Sequence, residues 1–393
     1  MHALKYLRFY EARGLTVERA RGQYVWGAGG RKYLDMHTCH GVAFLGHAHP
    51  HVIEALKERL ETVSVLSTSF HTRVMDDMLD ALSRVAGDEF EWVTLLNSGS
   101  EAVELAIKLA RRATGRKVLV AFTGSFHGRT LGALSLTHNP RYRRAFEPLL
   151  PEVRFGRFNG VEGIEDVIKE GVAAVVLEVI QGEGGVNVAD EAFVKTVAER
   201  AREVGALLVV DEVQTGFGRT GRVWAHTRYG IKPDIITAGK ALGGGFPVSA
   251  VLTTDYVASK VKPGDHGTTY GGNPLACAAV KAASEVLLTE SVPEQARVKG
   301  EALMRALRSR LASNPLVRDV RGTGLMIGVN LRKLPGPVLR CAQGRGVLLL
   351  KAGATVVRAL PPYLISEDDE VWFVDALTEC LEELAEGVAG RAA

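Results

Sequence analysis

The stretch ALLVVDEVQTGFGRTGRVWAHTRYGIKPDIITAGKALGGG, residues 206–245, carries the signature of the fold. It opens with Ala206-Leu207-Leu208-Val209-Val210, a continuous apolar run of the length expected for a buried strand. That run ends in two carboxylates, Asp211 and Glu212. A second short run, Ile235-Ile236-Thr237-Ala238, ends in Gly239-Lys240. An acid and an amine therefore each stand where a strand gives way to a loop. In open α/β sheets ligands bind at that edge, outside the carboxyl ends of the strands. One strand–loop–strand excursion can bring Asp211 and Lys240 to the same crevice.

The same texture repeats outward. Apolar runs at 92–96, 117–122, 173–180, 206–210, 234–238 and 248–253 alternate with helical segments at 100–113, 190–204 and 274–289. This alternation predicts a mainly parallel sheet covered by helices on both faces. Toward the N-terminus, residues 15–36 alternate apolar and polar with glycine breaks, as short antiparallel strands do. Val52, Ile53, Leu56 and Leu60 predict a helix over 50–62 with Pro50 in its first turn, and a second helix covers 73–85. After about residue 290 a long amphipathic helix (293–313) precedes strands near 317–330 and 346–359 and a final helix near 367–386. These predict a smaller α+β domain. The expected division is an N-terminal segment 1–48 joining the small domain, a large domain 49–290, and a C-terminal small domain 291–393.

Composition bounds the function. The chain has 393 residues, of which 46% are hydrophobic and 24% charged, as in an ordinary globular protein. A net charge of +3 without a dense Lys/Arg tract gives no reason to expect nucleic acid. It still suits an acidic substrate or an acidic protein partner. There is no run of about 18 apolar residues, so no membrane span is expected. No apolar segment marks a signal peptide at the N-terminus. Cys39, Cys277, Cys341 and Cys380 are scattered and form no C-x-x-C pair. That spacing predicts no disulfide framework and a reducing, cytoplasmic setting.

Four local patterns invite chemistry. Asn97-Ser98-Gly99-Ser100-Glu101 lies between a strand and a helix. It reads either as an anion cradle of backbone N–H groups or as a plain capped helix start. Gly216-Phe217-Gly218-Arg219-Thr220-Gly221 matches G-x-G-x-x-G. Asp211–Thr215 separates it from its strand, however, and no helical stripe follows, so a dinucleotide site is not expected. His37, Cys39, His40, His47, His49 and His51 fit no zinc spacing, and no metal is expected. Lys240 precedes Ala-Leu-Gly-Gly-Gly and lacks the Ser/Thr of a phosphate-binding P-loop. A desolvated lysine can instead form a Schiff base, and an acid such as Asp211 keeps a pyridine nitrogen protonated.

Together, the strings NSGSEAVELAIKLAR, FHGRTLGALSLT, LEVIQGEGG, DEVQTGFGRTG, PDIITAGKALGGGFP, HGTTYGGNPLACAA and RALPPY resemble the class III, ornithine-type pyridoxal-phosphate aminotransferases. They stand in the family's order over nearly the whole chain. The resemblance implies a fold type I homodimer with a large α/β domain and a small domain built from both chain ends. It implies that Lys240 is the Schiff-base and proton-transfer lysine and that Asp211 is the partner of the pyridinium nitrogen. Gly99 and Ser100 are implied to hold the phosphate, Phe126 to stack on one ring face with His127 beside it, and Val213 to pack on the other face. Gln214 is implied to reach the ring oxygen, and Thr269 the phosphate of the neighbouring subunit's cofactor. Arg129 and Arg358 are the implied carboxylate clamps, Thr268 a substrate-side residue, and Glu183 a gate that pairs with Arg358 until glutamate takes the arginine. Gly27 stands after Trp26 where the family often has an acid. RFYEARGLT, GQYVW and KYLDMHTCHGVAFLGHAHP are similar to archaeal members acting on lysine or ornithine precursors borne by the acidic carrier protein LysW. The implied reaction is ping-pong, between glutamate/2-oxoglutarate and a terminal semialdehyde/amine. Acetylornithine aminotransferases share every site residue, so the free-substrate reading stands beside it. A non-catalytic protein on this fold is expected to lose Lys240 or Asp211, and both are present.

Overall fold

The structure, a computed structural model, describes residues 4–389. Its centre is a seven-stranded sheet in the order Trp92–Leu96, Ser249–Thr253, Ile235–Ala238, Leu207–Asp211, Val172–Leu177, Val118–Phe122, Val153–Gly156. Ser249–Thr253 runs antiparallel to both neighbours, and the other pairings are parallel. All six residues of Val172–Leu177 and all five of Leu207–Asp211 are buried. Such two-sided burial explains why these strands read as continuous apolar runs. Alternate residues face opposite layers. Ala174, Val176, Leu207 and Val209 pack with Ala102, Val103 and Ala106 of the helix Gly99–Thr114. Val175, Leu177, Leu208 and Val210 face the layer of Phe193 and Val197 from the helix Glu191–Glu203. Each fully buried valine or leucine here stabilises by roughly 1.5–3 kcal/mol.

The helices Pro50–Glu61, Arg73–Ala86, Pro274–Thr289, Val292–Leu311 and Glu367–Ala389 lie where periodicity puts them. The edge strand Val153–Gly156 escaped the sequence pattern because it is only partly buried and has no apolar run. The expected strand at 346–359 is three pieces: Val347–Leu348, Leu350–Ala352 and Val356–Ala359. The last two form a hairpin around Gly353, whose φ of +53° favours glycine. That hairpin sets Val356–Ala359 between Leu350–Ala352 and Met326–Leu331 in a four-stranded sheet. The N-terminal strands Val17–Arg21, Tyr24–Gly27 and Lys32–Asp35 are antiparallel, and the last pairs in parallel with Val347–Leu348. Both chain ends thus share one sheet.

The cysteine expectation needs correction. Cys341 and Cys380 are joined in a disulfide with their Cα atoms 5.7 Å apart. The helix Gly336–Gly344 lies against the C-terminal helix and brings the two residues together across 39 positions. Spacing in sequence does not show a pair made by tertiary packing. The inference of a reducing setting from cysteine spacing falls with it. Among the described residues no helix is long and apolar enough to cross a membrane.

Candidate active site

The sheet's register assembles the site. Asp211 pairs with Thr237, so Lys240 follows just beyond the next strand's end. Leu177 pairs with Val210, which puts Glu178 beside Asp211. The loop after Val118–Phe122 carries Phe126 and His127, and the loop after Trp92–Leu96 carries Gly99 and Ser100. Each lies at a carboxyl-terminal strand edge, the expected crevice.

Asp211 is 6% exposed and fully engaged. Its Oδ1 accepts from the Val213 N–H and the Thr237 hydroxyl, both at 3.1 Å. Its Oδ2 is 2.7 Å from His127 Nδ1. Burial disfavours a charged His127, but the hydrogen bond and charge of Asp211 outweigh it and hold its pKa above the ordinary value. Glu178 Oε2 accepts from the Phe126 N–H at 2.8 Å. Burial pushes the Glu178 carboxyl up to about 7, with the nearby His127 charge opposing the rise. The motif FHG is therefore held from behind by two acids on neighbouring strands.

Lys240 opens a short turn, Lys240–Gly243, with a left-handed φ of 46°. Desolvation lowers the pKa of its amine, against the pull of Glu183 and Asp211. A lysine so placed is more often unprotonated than a surface lysine, and so more available as a nucleophile and proton acceptor.

Gly99 and Ser100 start a helix whose first-turn N–H groups have no partner within it. Ser98 Oγ accepts from Glu101 N at 3.3 Å, an N-cap contact, while Glu101 Oε2 reaches one residue further back to accept from Asn97 N at 2.8 Å, a variant of the capping box. The cap uses Ser98 and leaves the first-turn N–H groups of Gly99 and Ser100 without a partner inside the helix. A Cβ on Gly99 would lie 2.7 Å from Val213 Cγ1, so only glycine lets that loop close on the helix. Ser100 Oγ accepts from the Arg129 N–H at 3.1 Å. The Arg129 guanidinium is exposed and stacks 3.8 Å over Tyr142, with Phe126 5.4 Å away.

Arg358 is 0% exposed in the centre of its sheet. Its Nη2 donates to Glu183 Oε1 at 2.6 Å and its Nη1 to Gln214 Oε1 at 3.1 Å. Burial would raise the Glu183 carboxyl, but the Arg358 charge and then His40 hold it far below the carboxylate range. Thr268 and Thr269 are placed elsewhere. Thr269 is exposed, and both line a cleft of about 340 Å³ with Asn97, Glu101, Glu104 and His266 rather than with Lys240.

Three residues near the site were given no role there from the sequence; His40 stood only in the histidine cluster that fits no metal spacing, and Arg219 only in the glycine motif. Glu178 had a signal, a lone acid inside the apolar run 173–180. His40 lies 3.8 Å from Glu183. Arg219, within G-x-G-x-x-G, is 1% exposed and donates to the carbonyls of Leu325, Pro361 and Gly41. Burial and then the Arg358 charge push its pKa down to about 9. The glycine motif is thus the loop that delivers this arginine, and its Gly216 packs against Trp224. The N-terminal histidines disperse: His47 pairs with Asp35, His49 with Glu290 and His51 with Glu285.

The residues present fit pyridoxal phosphate. They offer a desolvated amine, an anchored strand-end carboxylate, a helix N-terminus for phosphate, and a buried His127 Nε2 without a partner among the described residues. Comparisons with known proteins agree. Residues 9–381 match the family Aminotransferase class-III. The chain is 54% identical over 366 residues to a LysW-aminoadipate semialdehyde/glutamate semialdehyde transaminase of Sulfurisphaera tokodaii, covering 93% of this chain and 94% of that one. It is 46% identical over 303 residues to an acetylornithine aminotransferase of Archaeoglobus fulgidus, covering 77% and 80%. Its structure matches an ornithine aminotransferase from Toxoplasma gondii with a TM-score of 0.93 at 31% identity, over 97% and 94% of the two chains. With the family matched from the N-terminal arm to the last helix, and its amine and acid at adjoining strand ends, the chain belongs to the class-III aminotransferases, enzymes that depend on pyridoxal phosphate.

Proposed function

We propose that this aminotransferase exchanges an amino group between glutamate/2-oxoglutarate and the terminal semialdehyde/amine of a lysine or ornithine precursor carried by LysW. The observation behind it is the Arg358–Glu183 pair facing Lys240. A buried arginine neutralised by a partly exposed acid suits two substrates, one with a carboxylate to take the acid's place and one without. The carrier-bound substrate is supported by relatives at 54% and 52% identity that are LysW-aminoadipate semialdehyde/glutamate semialdehyde transaminases.

In this reading Lys240, Asp211, Gly99, Ser100, Phe126, His127, Val213 and Gln214 hold the cofactor. Bound there, pyridoxal phosphate would supply the electron sink that lets a substrate carbon give up its proton. Lys240 would be the Schiff-base lysine, and its Nζ would carry the transferred proton. Asp211 would be the partner of the ring nitrogen, with the orientation of its carboxylate fixed by His127. Arg129 and Arg358 orient carboxylates. Thr268 is a substrate-side residue and Thr269 reaches the phosphate of the second subunit's cofactor, so the working unit is a homodimer.

A substrate panel with glutamate as donor tests the proposal. Carrier-bound semialdehydes are expected to exceed N-acetylglutamate semialdehyde in kcat/KM by about tenfold or more, as one charge-assisted contact would give. Equal or faster turnover of the acetylated substrate overturns the carrier reading and favours the acetylornithine one, which the 46% relative supports.

A further inference from the structure

Freeing Arg358 creates a problem that the Arg358–Glu183 pair alone does not solve. The Glu183 side chain is only 23% exposed. A carboxylate left in that position without a partner would be strongly disfavoured. We propose that His40 is the counter-group: when a substrate carboxylate takes Arg358, the Glu183 carboxylate turns onto the His40 imidazole. The inference rests on the gate reading above.

One carboxylate oxygen lies between a guanidinium and an imidazole. The same oxygen, Glu183 Oε1, lies 2.6 Å from Arg358 Nη2 and 3.8 Å from His40 Nδ1. The second distance is beyond a hydrogen bond but within a small side-chain rotation of one. The backbone that presents His40 is unusual. Thr38, Cys39 and His40 are consecutive non-glycine residues with left-handed φ values of 44°, 51° and 60°. Such a run persists only where its surroundings enforce it. Here Asp35 Oδ1 accepts from the N–H groups of His37 and Thr38 at 2.9 and 2.8 Å. The Thr38 hydroxyl donates to the Leu360 carbonyl at 2.6 Å, and Gln214 Nε2 donates to the His40 carbonyl at 3.4 Å. The segment is thus tied to the chain just past Arg358 and to the other acceptor of Arg358, Gln214.

The ring's neighbours leave it free for this task. His37 lies edge-on with ring centroids 4.9 Å apart, and Tyr10 is at 5.8 Å. Burial and then the nearby His40 push His37 down to about 4, so His37 is neutral and does not compete for the carboxylate. His40 acts through Glu183 and is a positioning residue.

The test measures the two half-reactions of the holoenzyme separately, one with glutamate and one with the terminal amine. His40→Gly keeps the left-handed backbone accessible and removes the donor. It is expected to shift the ratio of the two kcat/KM values about tenfold against glutamate, mainly through KM. His40→Asn tolerates the same backbone and returns an N–H donor, so it recovers most of that loss. Added to Glu183→Gln, His40→Gly is expected to cause no further shift. The inference is overturned if His40→Gly leaves the ratio unchanged or slows both half-reactions alike, or if the two substitutions act independently. Glu183→Gln alone is expected to move the ratio. If it does not, the gate reading fails and takes the inference with it. If it does while His40→Gly does not, the role of His40 alone is lost. The cofactor absorbance band of each variant shows that the site has assembled.

Discussion

The two walls around Lys240 are built to opposite specifications. On one side Asp211 has both carboxylate oxygens bonded, His127 is clamped to it, and Glu178 holds the backbone of Phe126. All three side chains sit at or just past strand ends, and none is more than 8% exposed. On the other side Arg358 meets Glu183 across 175 residues of sequence. Its Nε has no partner among the described residues, and His40 waits just beyond hydrogen-bond range. The chemistry common to both substrates needs one geometry, so its residues are fixed by sheet register. On the proposed function, recognising two different substrates needs two states, and His40 at 3.8 Å from Glu183 is the group proposed to serve the second.

Substitutions at Lys240 and Asp211 test the fixed wall. Lys240→Ala should lower both half-reactions by about 10⁴-fold, the upper range for a positioned proton-transfer group. The folded protein should still bind the cofactor's phosphate at the helix start. Asp211→Asn should cost about 10²–10³-fold, again in both half-reactions. It also has a spectroscopic consequence. With the carboxylate charge gone, burial is left as the main influence on His127. Its pKa should then drop from above the ordinary value to below it. Histidine NMR would show this, and an unmoved His127 would mean that Asp211 is not its controlling partner.

Arg358→Lys tests the other wall. A lysine keeps the charge but loses the fork that meets Gln214 and Glu183 together. Glutamate turnover should fall about 10- to 100-fold, and the terminal-amine half-reaction by less. Equal losses in both would erase the distinction between the walls.

The same division governs what was legible in sequence. Asp211 and Lys240 showed because a buried strand is a continuous apolar run, and a charge at its end is conspicuous. Glu178 belonged to that class and was passed over inside the run 173–180. Arg358 was found through resemblance, since VVRAL places one arginine in an apolar strand without stating its partner. His40 and the Cys341–Cys380 bond depend on contacts between segments far apart in sequence, which local periodicity does not encode. The hairpin at Gly353 was lost for a related reason: a glycine turn inside LLLKAGATVV reads as a bulge in one strand as readily as a reversal between two.

One further cluster supports the fixed wall from outside. His226 is fully buried, with Nδ1 3.0 Å from Glu212 Oε1 and Nε2 3.0 Å from Glu89 Oε2. Glu212 follows Asp211 directly, and its Oε1 also accepts from the His226 N–H at 2.8 Å. The clamp therefore pins the loop that leaves Asp211 and carries Arg219. Burial opposes the charged imidazole, but Glu212 and then Glu89 hold its pKa above the ordinary value. A raised folded-state pKa contributes stability that is fully present below the unfolded value, about 6.5, and is lost as pH rises through the folded value. Thermal midpoints should therefore decline with rising pH over that window in the parent. In His226→Gln the decline should be shallower, starting from a protein destabilised by about 1–3 kcal/mol. Turnover should change least of all the substitutions considered, because the clamp acts on the loop's stability and not on the reacting atoms. A parallel pair of pH curves would show that folding leaves the His226 pKa unshifted, and that the charge of this clamp adds nothing to the stability of the loop.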